Sequence, residues 1–282
     1  MPDVTRRDFR AAVEGGELVG WVEGSGPRVL LLHGGPGLSY NYLDPLADEI
    51  GDNYEVASYQ QRGVPPSTAK GPYDVPTQVG DVASVLDALG WERATVVGHS
   101  WGGHLGFYVA VQLTERLDGV LIVDPLGAVG DGGEKQFAAT INERTPEIVR
   151  ARADELDKQA MRGEGTVAQL EESLRLLWPA YFPSWDAAPP MLDITGSVEA
   201  YAQTFESIHA LLPDLERQLP SIAVAVGLVA CSAGPMPVAA CADSAALIPG
   251  AWVEIVEDAG HFPWYDVPGA VRRALDRLVS QA

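Results

Sequence analysis

The residues best placed to do chemistry are Gly98-His99-Ser100-Trp101-Gly102, where an apolar run over residues 95–98 ends and a helix-period segment over 103–113 begins. A serine in so sharp a strand-to-helix turn is held in a strained backbone conformation that projects its hydroxyl. Glycines two residues to either side omit the Cβ atoms that would keep neighbouring backbone away. The reaction this suits is acyl transfer, with Ser100 attacking an acyl carbon.

Two further motifs lie beside predicted strands. His33-Gly34-Gly35-Pro36-Gly37 directly follows the apolar residues 29–32, and Gln61-Arg62-Gly63 follows 54–59. Together with the serine motif they make the chain resemble the α/β-hydrolases. Within these it is most similar to the proline iminopeptidase group, whose glycine loop has the same sequence and whose Asp-Gln-Arg-Gly signature is met here with Gln60 in place of the aspartate. The resemblance covers the whole chain, most loosely between residues 125 and 218.

The resemblance implies roles residue by residue. Ser100 is the nucleophile, and the backbone N–H groups of Gly35 and Trp101 hold the oxyanion, each such donor contributing about 3 to 4 kcal/mol to the transition state. His261, in Ala259-Gly260-His261-Phe262-Pro263 after the last predicted strand, is the general base. Of the other histidines, His33 and His99 are expected as supports inside their motifs, His104 within the serine's helix, and His209 in the inserted region.

The acid departs from the family pattern. The position corresponding to the family's aspartate is Ala233, inside Cys231-Ser-Ala-Gly-Pro-Met-Pro237, and no carboxylate is there. Asp243 falls ten residues late, in an expected helix, and Asp258 is too close to His261 along the chain to reach its far ring nitrogen. Asp124, ending the run 120–123, keeps the order serine, acid, histidine and is the preferred acid. Asp243, or no acid at all, are the alternatives.

Serine at the nucleophile position sets the chain apart from epoxide hydrolases and haloalkane dehalogenases of the superfamily, which need an aspartate there. The resemblance implies a small aminoacyl amide or peptide N-terminus as substrate, its amine recognised by a carboxylate of the inserted region, with Glu206 nearest the family position and Glu172 and Glu199 as others. Trp178, Tyr181, Phe182 and Trp185, in a proline-punctuated aromatic segment, are candidates for a substrate wall. A second reading keeps the triad and assigns a neutral ester, lactone or thioester, for which the pocket would be apolar and free of carboxylates. A third, prompted by the missing acid, is a lyase, cyclase or binding protein on the same fold.

These residues need elements to hold them. Apolar, β-branched runs at 18–23, 29–32, 54–59, 95–98, 120–123, 223–230 and 252–256 read as strands, and 79–89, 103–113 and 268–279 as helices. Their alternation implies an α/β fold, a mostly parallel sheet covered on both faces. It breaks off after Val123 and resumes near Ile222. The expected organisation is a core of residues 1–124 and 219–282 with a helical cap, 125–218, inserted in it.

Composition sets the outer limits. A chain of 30.1 kDa should fold to about 11,700 Å² of accessible surface. With 39 acidic against 19 basic residues the net charge is −20, which repels nucleic acid and anionic membrane surfaces. No run approaches the ~20 apolar residues of a membrane helix and the N-terminus lacks a leader pattern, so a cytoplasmic protein is expected. Cys231 and Cys241, the only cysteines, read as reduced packing residues. No metal-ligand cluster or dinucleotide fingerprint is visible, so no metal or cofactor is implied and the partner is a small-molecule substrate. On oligomeric state the sequence is silent.

Overall fold

The computed structural model describes residues 6–281; the N-terminal residues read above lie partly outside them. The chain opens with strands β1 (Arg7–Val13), β2 (Gly16–Gly24) and β3 (Arg28–Leu32), helix α1 (Asp44–Ile50) and strand β4 (Glu55–Gln60). Helix α2 (Val75–Leu89), strand β5 (Ala94–His99), helix α3 (Trp101–Gln112) and strand β6 (Leu117–Val123) follow. Between β6 and the next strand lie α4 (Glu134–Arg144), α5 (Glu147–Met161), α6 (Val167–Leu177) and α7 (Val198–Gln218). The chain closes with β7 (Val226–Cys231), α8 (Val238–Leu247), β8 (Trp252–Val256), α9 (Pro263–Asp266) and α10 (Ala270–Val279).

The strands form one eight-stranded sheet in the order β1-β2-β4-β3-β5-β6-β7-β8. β1 and β2 pair antiparallel and β2 joins β4 antiparallel, while every pairing from β4 to β8 is parallel. The fold is therefore the expected α/β-hydrolase fold. β1 escaped the sequence reading because Arg7-Asp8-Phe9-Arg10 carries three charges on an exposed edge, where apolar alternation is not required.

Alternation within the central strands divides the core in two. Leu30, Leu32, Val96, Val120 and Ile122 point to one face, under α2 and α3. Val29, Leu31, Val97, Leu121 and Val123 point to the other, where α10 packs. A sheet buried on both faces needs apolar residues at every position, so these strands read as unbroken apolar runs. The accessible surface is 11,575 Å², against the roughly 11,700 Å² expected for this mass.

Helix ends follow local chemistry. The Asp74 side chain accepts the Thr77 N–H at 2.8 Å to start α2, and Gly90 ends it at φ +67°. Among the described residues no helix is long and apolar enough to cross a membrane.

Candidate active site

Ser100 follows β5 and Asp124 follows β6, two adjacent parallel strands whose last residues, His99 and Val123, are paired. Both residues have left-handed φ values, +57° for Ser100 and +44° for Asp124, a conformation costing about 1 to 3 kcal/mol per residue that persists only where the surroundings enforce it. The Ser100 N–H donates to the Val123 carbonyl at 2.9 Å and the Asp124 N–H to that of Val229 at 2.8 Å, so the sheet itself holds both turns. A Cβ at Gly98 would run into the Gly102 carbonyl oxygen, and one at Gly102 into that of Leu32. The two glycines of the serine motif are required by this close approach.

His261 lies in the loop between β8 and α9, and its Nδ1–H donates to Asp124 Oδ2 at 2.7 Å. The other carboxylate oxygen accepts the Cys231 N–H at 3.0 Å. Burial pushes the Asp124 carboxyl well above the usual carboxylate range while the Cys231 N–H opposes it. Burial also pushes His261 down, to about 3, which leaves the imidazole neutral near pH 7 with Nε2 free to accept a proton. Asp243, the alternative acid, is exposed on α8.

The glycine loop is tied down from behind. His33 Nδ1–H donates to the Gly34 carbonyl at 3.1 Å and its Nε2 accepts the Gln61 N–H at 3.0 Å, which sets the tautomer. A trans peptide places N–H opposite C=O, so anchoring the Gly34 carbonyl turns the Gly35 N–H the other way. Gln61 also accepts the Trp101 indole N–H at 3.0 Å and donates to the His33 carbonyl at 3.0 Å. Both oxyanion candidates thus share one scaffold. Trp101 opens α3, and the first N–H groups of a helix have no partner within it. Gln60, where the resemblance expects aspartate, is fully buried; it donates to the Leu38 carbonyl at 2.9 Å and accepts the Tyr40 N–H at 3.1 Å. A carboxylate could not make the donating bond. Arg62 of the same signature forms a buried two-pronged pair with Asp81, at 2.6 and 2.7 Å.

His99 is expected as a support inside its motif; Tyr42 is not singled out for this site by sequence, and no local pattern marks it. The Gly34 N–H donates to the Tyr42 hydroxyl. That hydroxyl donates to His99 Nδ1 at 2.9 Å, and His99 Nε2–H donates to the His261 carbonyl at 2.8 Å. The chain of bonds links the glycine loop, the serine motif and the histidine loop.

Ser100, His261 and Gly35 line one cavity of about 70 Å³, walled by Trp178, Tyr181, Leu174 and Phe262 among others. At about 10–15 Å³ per water this is room for roughly five to seven water-sized groups. No lining residue is a carboxylate. Of the residues proposed as a substrate wall, Trp178 and Tyr181 face the cavity. Phe182 is buried behind it, its ring 5.0 Å from that of Trp178, and Trp185 sits half-buried in a separate 3-10 turn outside the lining.

Glu206 is not brought to the serine. The inner stripe of α7 is Thr204, Ile208, Leu212 and Leu215, and a residue two positions from Thr204 points away from that stripe. Glu206 is exposed and lines a separate surface groove with Glu164, Glu199 and His209. Glu172 is paired with Arg152 at 2.9 Å. Among the described residues no group of three or more His, Cys, Asp or Glu side chains could hold a metal ion.

The buried histidines make an acid-sensitivity prediction. Burial lowers His33 and His104 to about 4 each, and His99 further. The unfolded chain, with histidines near 6.5, binds protons that the native chain refuses, so stability falls as pH drops from 6.5 toward 4. Each group contributes up to about 1.4 kcal/mol per pH unit. His104 stands against the Tyr108 and Phe107 rings at 5.5 and 6.2 Å. His104→Phe should flatten the slope by about 0.7 proton, averaged between pH 7 and 5, in urea melts at those two pH values; an unchanged slope would show that His104 is not held neutral.

The profile of the Alpha/beta hydrolase family matches residues 29–274. Epoxide hydrolase B of Mycobacterium tuberculosis is 37% identical over 99 residues, 34% of this chain and 28% of that protein. The chain spans less than half the length of the curated relatives it first matches. Among solved structures, the enol-lactonase from Burkholderia xenovorans LB400 matches with a TM-score of 0.68 at 23% identity, covering 96% of this chain and 99% of that one. A proline iminopeptidase from Mycobacterium smegmatis matches with a TM-score of 0.69 at 18% identity, covering 98% of each chain. At these identities both structural likenesses are likenesses of fold.

Proposed function

The chain belongs to the alpha/beta hydrolase family, and from that premise we propose that it hydrolyses a small, uncharged carboxylic ester or lactone through an acyl-enzyme on Ser100. The observation that carries this reading is the cavity beside Ser100 and His261, apolar and aromatic in its walls and without a carboxylate among its lining residues.

In this mechanism the Ser100 hydroxyl attacks the acyl carbon while its proton passes to His261 Nε2. The Gly35 and Trp101 N–H groups hold the oxyanion, and Asp124 keeps Nδ1–H in place and stabilises the imidazolium. Collapse of the tetrahedral intermediate expels the alkoxide, which takes the proton from His261. A water then gives its proton to His261 and attacks the acyl carbon, and collapse of this second intermediate breaks the Ser100–acyl bond, the serine oxygen taking the proton back from His261 as the acid is freed. Residues 125–218 serve as the cap that closes this site and limits the acyl group.

Amine recognition is the weaker reading, because a substrate ammonium in this cavity would be buried without a counter-charge. Leaving a buried charge unpaired costs about 4 kcal/mol, close to 10³-fold in affinity. The test compares p-nitrophenyl butyrate with prolyl- and alanyl-naphthylamide, using wild type and Ser100→Ala. Serine-dependent ester turnover should exceed amide turnover by about 10³-fold in kcat/KM. Comparable turnover of the amides would overturn the ester reading and restore the aminopeptidase one.

A further inference from the structure

Arg144 is the last residue of α4, where a basic side chain ordinarily answers the helix's own terminal carbonyls. Here the half-buried side chain reaches elsewhere. Nη1 donates to the Ala233 carbonyl at 2.8 Å and to those of Ala180 and Phe182 at 3.3 Å each, and Nη2 donates to that of Gly234 at 3.0 Å. One planar guanidinium thus joins two segments far apart in sequence. Residues 180–182 form a strap from the inserted region; 233–234 lie in the loop after β7, where the resemblance placed the family's acid.

Both segments touch the loop that carries His261. The His261 N–H donates to the Tyr181 carbonyl at 2.8 Å, and the Ala233 N–H donates to that of Ala259 at 2.9 Å. A Cβ added at Gly260 would lie 2.7 Å from the Tyr181 carbonyl oxygen and 2.9 Å from Phe182 Cα. One added at Gly234 would lie 3.3 Å from the His261 nitrogen and 3.4 Å from Asp124 Oδ2. The Tyr181 ring, 5.2 Å from the His261 ring, is also a wall of the cavity.

We infer that Arg144 is a positioning and specificity-determining residue, a latch that ties strap 180–182 to loop 233–234 and so sets both the orientation of His261 and the closed wall of the acyl pocket. The inference rests on the ester-hydrolase reading of the Ser100 site. Its chemical consequence is selection for short acyl groups: the latched Tyr181 bounds the small cavity, and release of the strap enlarges it. Lysine is not an equivalent, because a compact ammonium cannot reach both segments as a planar fork does.

The test uses Arg144→Met, which keeps length and helix propensity, and Arg144→Lys, assayed on p-nitrophenyl acetate, butyrate and octanoate. In Arg144→Met, kcat for the acetate should fall about 10²-fold through misplacement of the base, with the octanoate-to-acetate ratio of kcat/KM rising about tenfold, and Arg144→Lys should fall between. A role in stability alone scales every ester by the same folded fraction, so an unchanged ratio overturns the latch. Amide hydrogen exchange supplies a readout independent of substrate. Faster exchange in Arg144→Met confined to 178–185, 231–235 and 259–262 supports the latch, whereas unchanged or uniformly faster exchange overturns it. Were the wild type to cleave no ester through Ser100, the ester reading would fail by itself and the exchange pattern would still decide on Arg144.

Discussion

Ser100→Ala is expected to lower kcat by about 10⁶-fold, the loss seen when a serine that acts with its histidine as one unit is removed. The fold should survive, because the Ser100 N–H keeps its bond to the Val123 carbonyl and Gly98 and Gly102 still allow the close approach at the turn. Alanine, however, inherits the strain of φ +57°. Ser100→Gly, equally inactive, escapes it and should be more stable than Ser100→Ala by about 1 kcal/mol, after allowing for glycine's greater freedom when unfolded. Labelling with a fluorophosphonate and thermal melts read both effects. Labelling of the wild type at a residue other than Ser100, or retained turnover in the alanine variant, would remove the nucleophile assignment. A wild type that turns over no ester or amide and takes no label would favour the lyase, cyclase or binding reading.

Asp124→Asn should reduce kcat by about 10⁴-fold with little change in KM. The amide is nearly the same shape as the carboxylate, but its NH₂ group donates where Asp124 Oδ2 now accepts the His261 Nδ1–H. That shifts the imidazole proton to Nε2, the atom needed to take the Ser100 proton. It also removes the negative charge that stabilises the imidazolium. Asp243→Asn serves as the control, because Asp243 is exposed on α8 and should leave kcat unaltered. The opposite pattern, a near-normal Asp124→Asn and an impaired Asp243→Asn, would move the acid to α8.

The legible parts of this protein are those whose physics is short-ranged. A serine between Gly98 and Gly102, following an apolar strand and preceding a helix, can adopt few backbone paths, and the clashes that forbid a Cβ at either glycine lie within the turn or on the neighbouring strand end. The apolar runs at β3, β5, β6 and β7 announce a sheet buried on both faces, because only strands covered on both sides need no polar alternation. His33-Gly34-Gly35 and His261 were readable for the same reason, each tied to the end of a recognisable strand.

The carboxylate partner of His261, the walls of the cavity and the reach of Arg144 were another matter. Asp124 and His261 are 137 residues apart and meet only because β6, which Asp124 follows, pairs with β7, and β7 with β8, which precedes the loop of His261. Glu206 lay nearest the family's amine-binding position along the chain, and only the phase of α7 turns it to solvent. Arg144 carries no motif, and its four acceptors are main-chain carbonyls, which exist at every position and leave no trace in residue types. The sequence by itself determined the serine turn, the glycine loop, the place of His261 after the last strand and the layered fold, since these follow from steric and hydrophobic rules acting over a few residues. Only the tertiary structure decided which carboxylate faces the base, that no charge lines the cavity, and that one guanidinium spans strap and loop, because each depends on distances between segments that chain order does not encode.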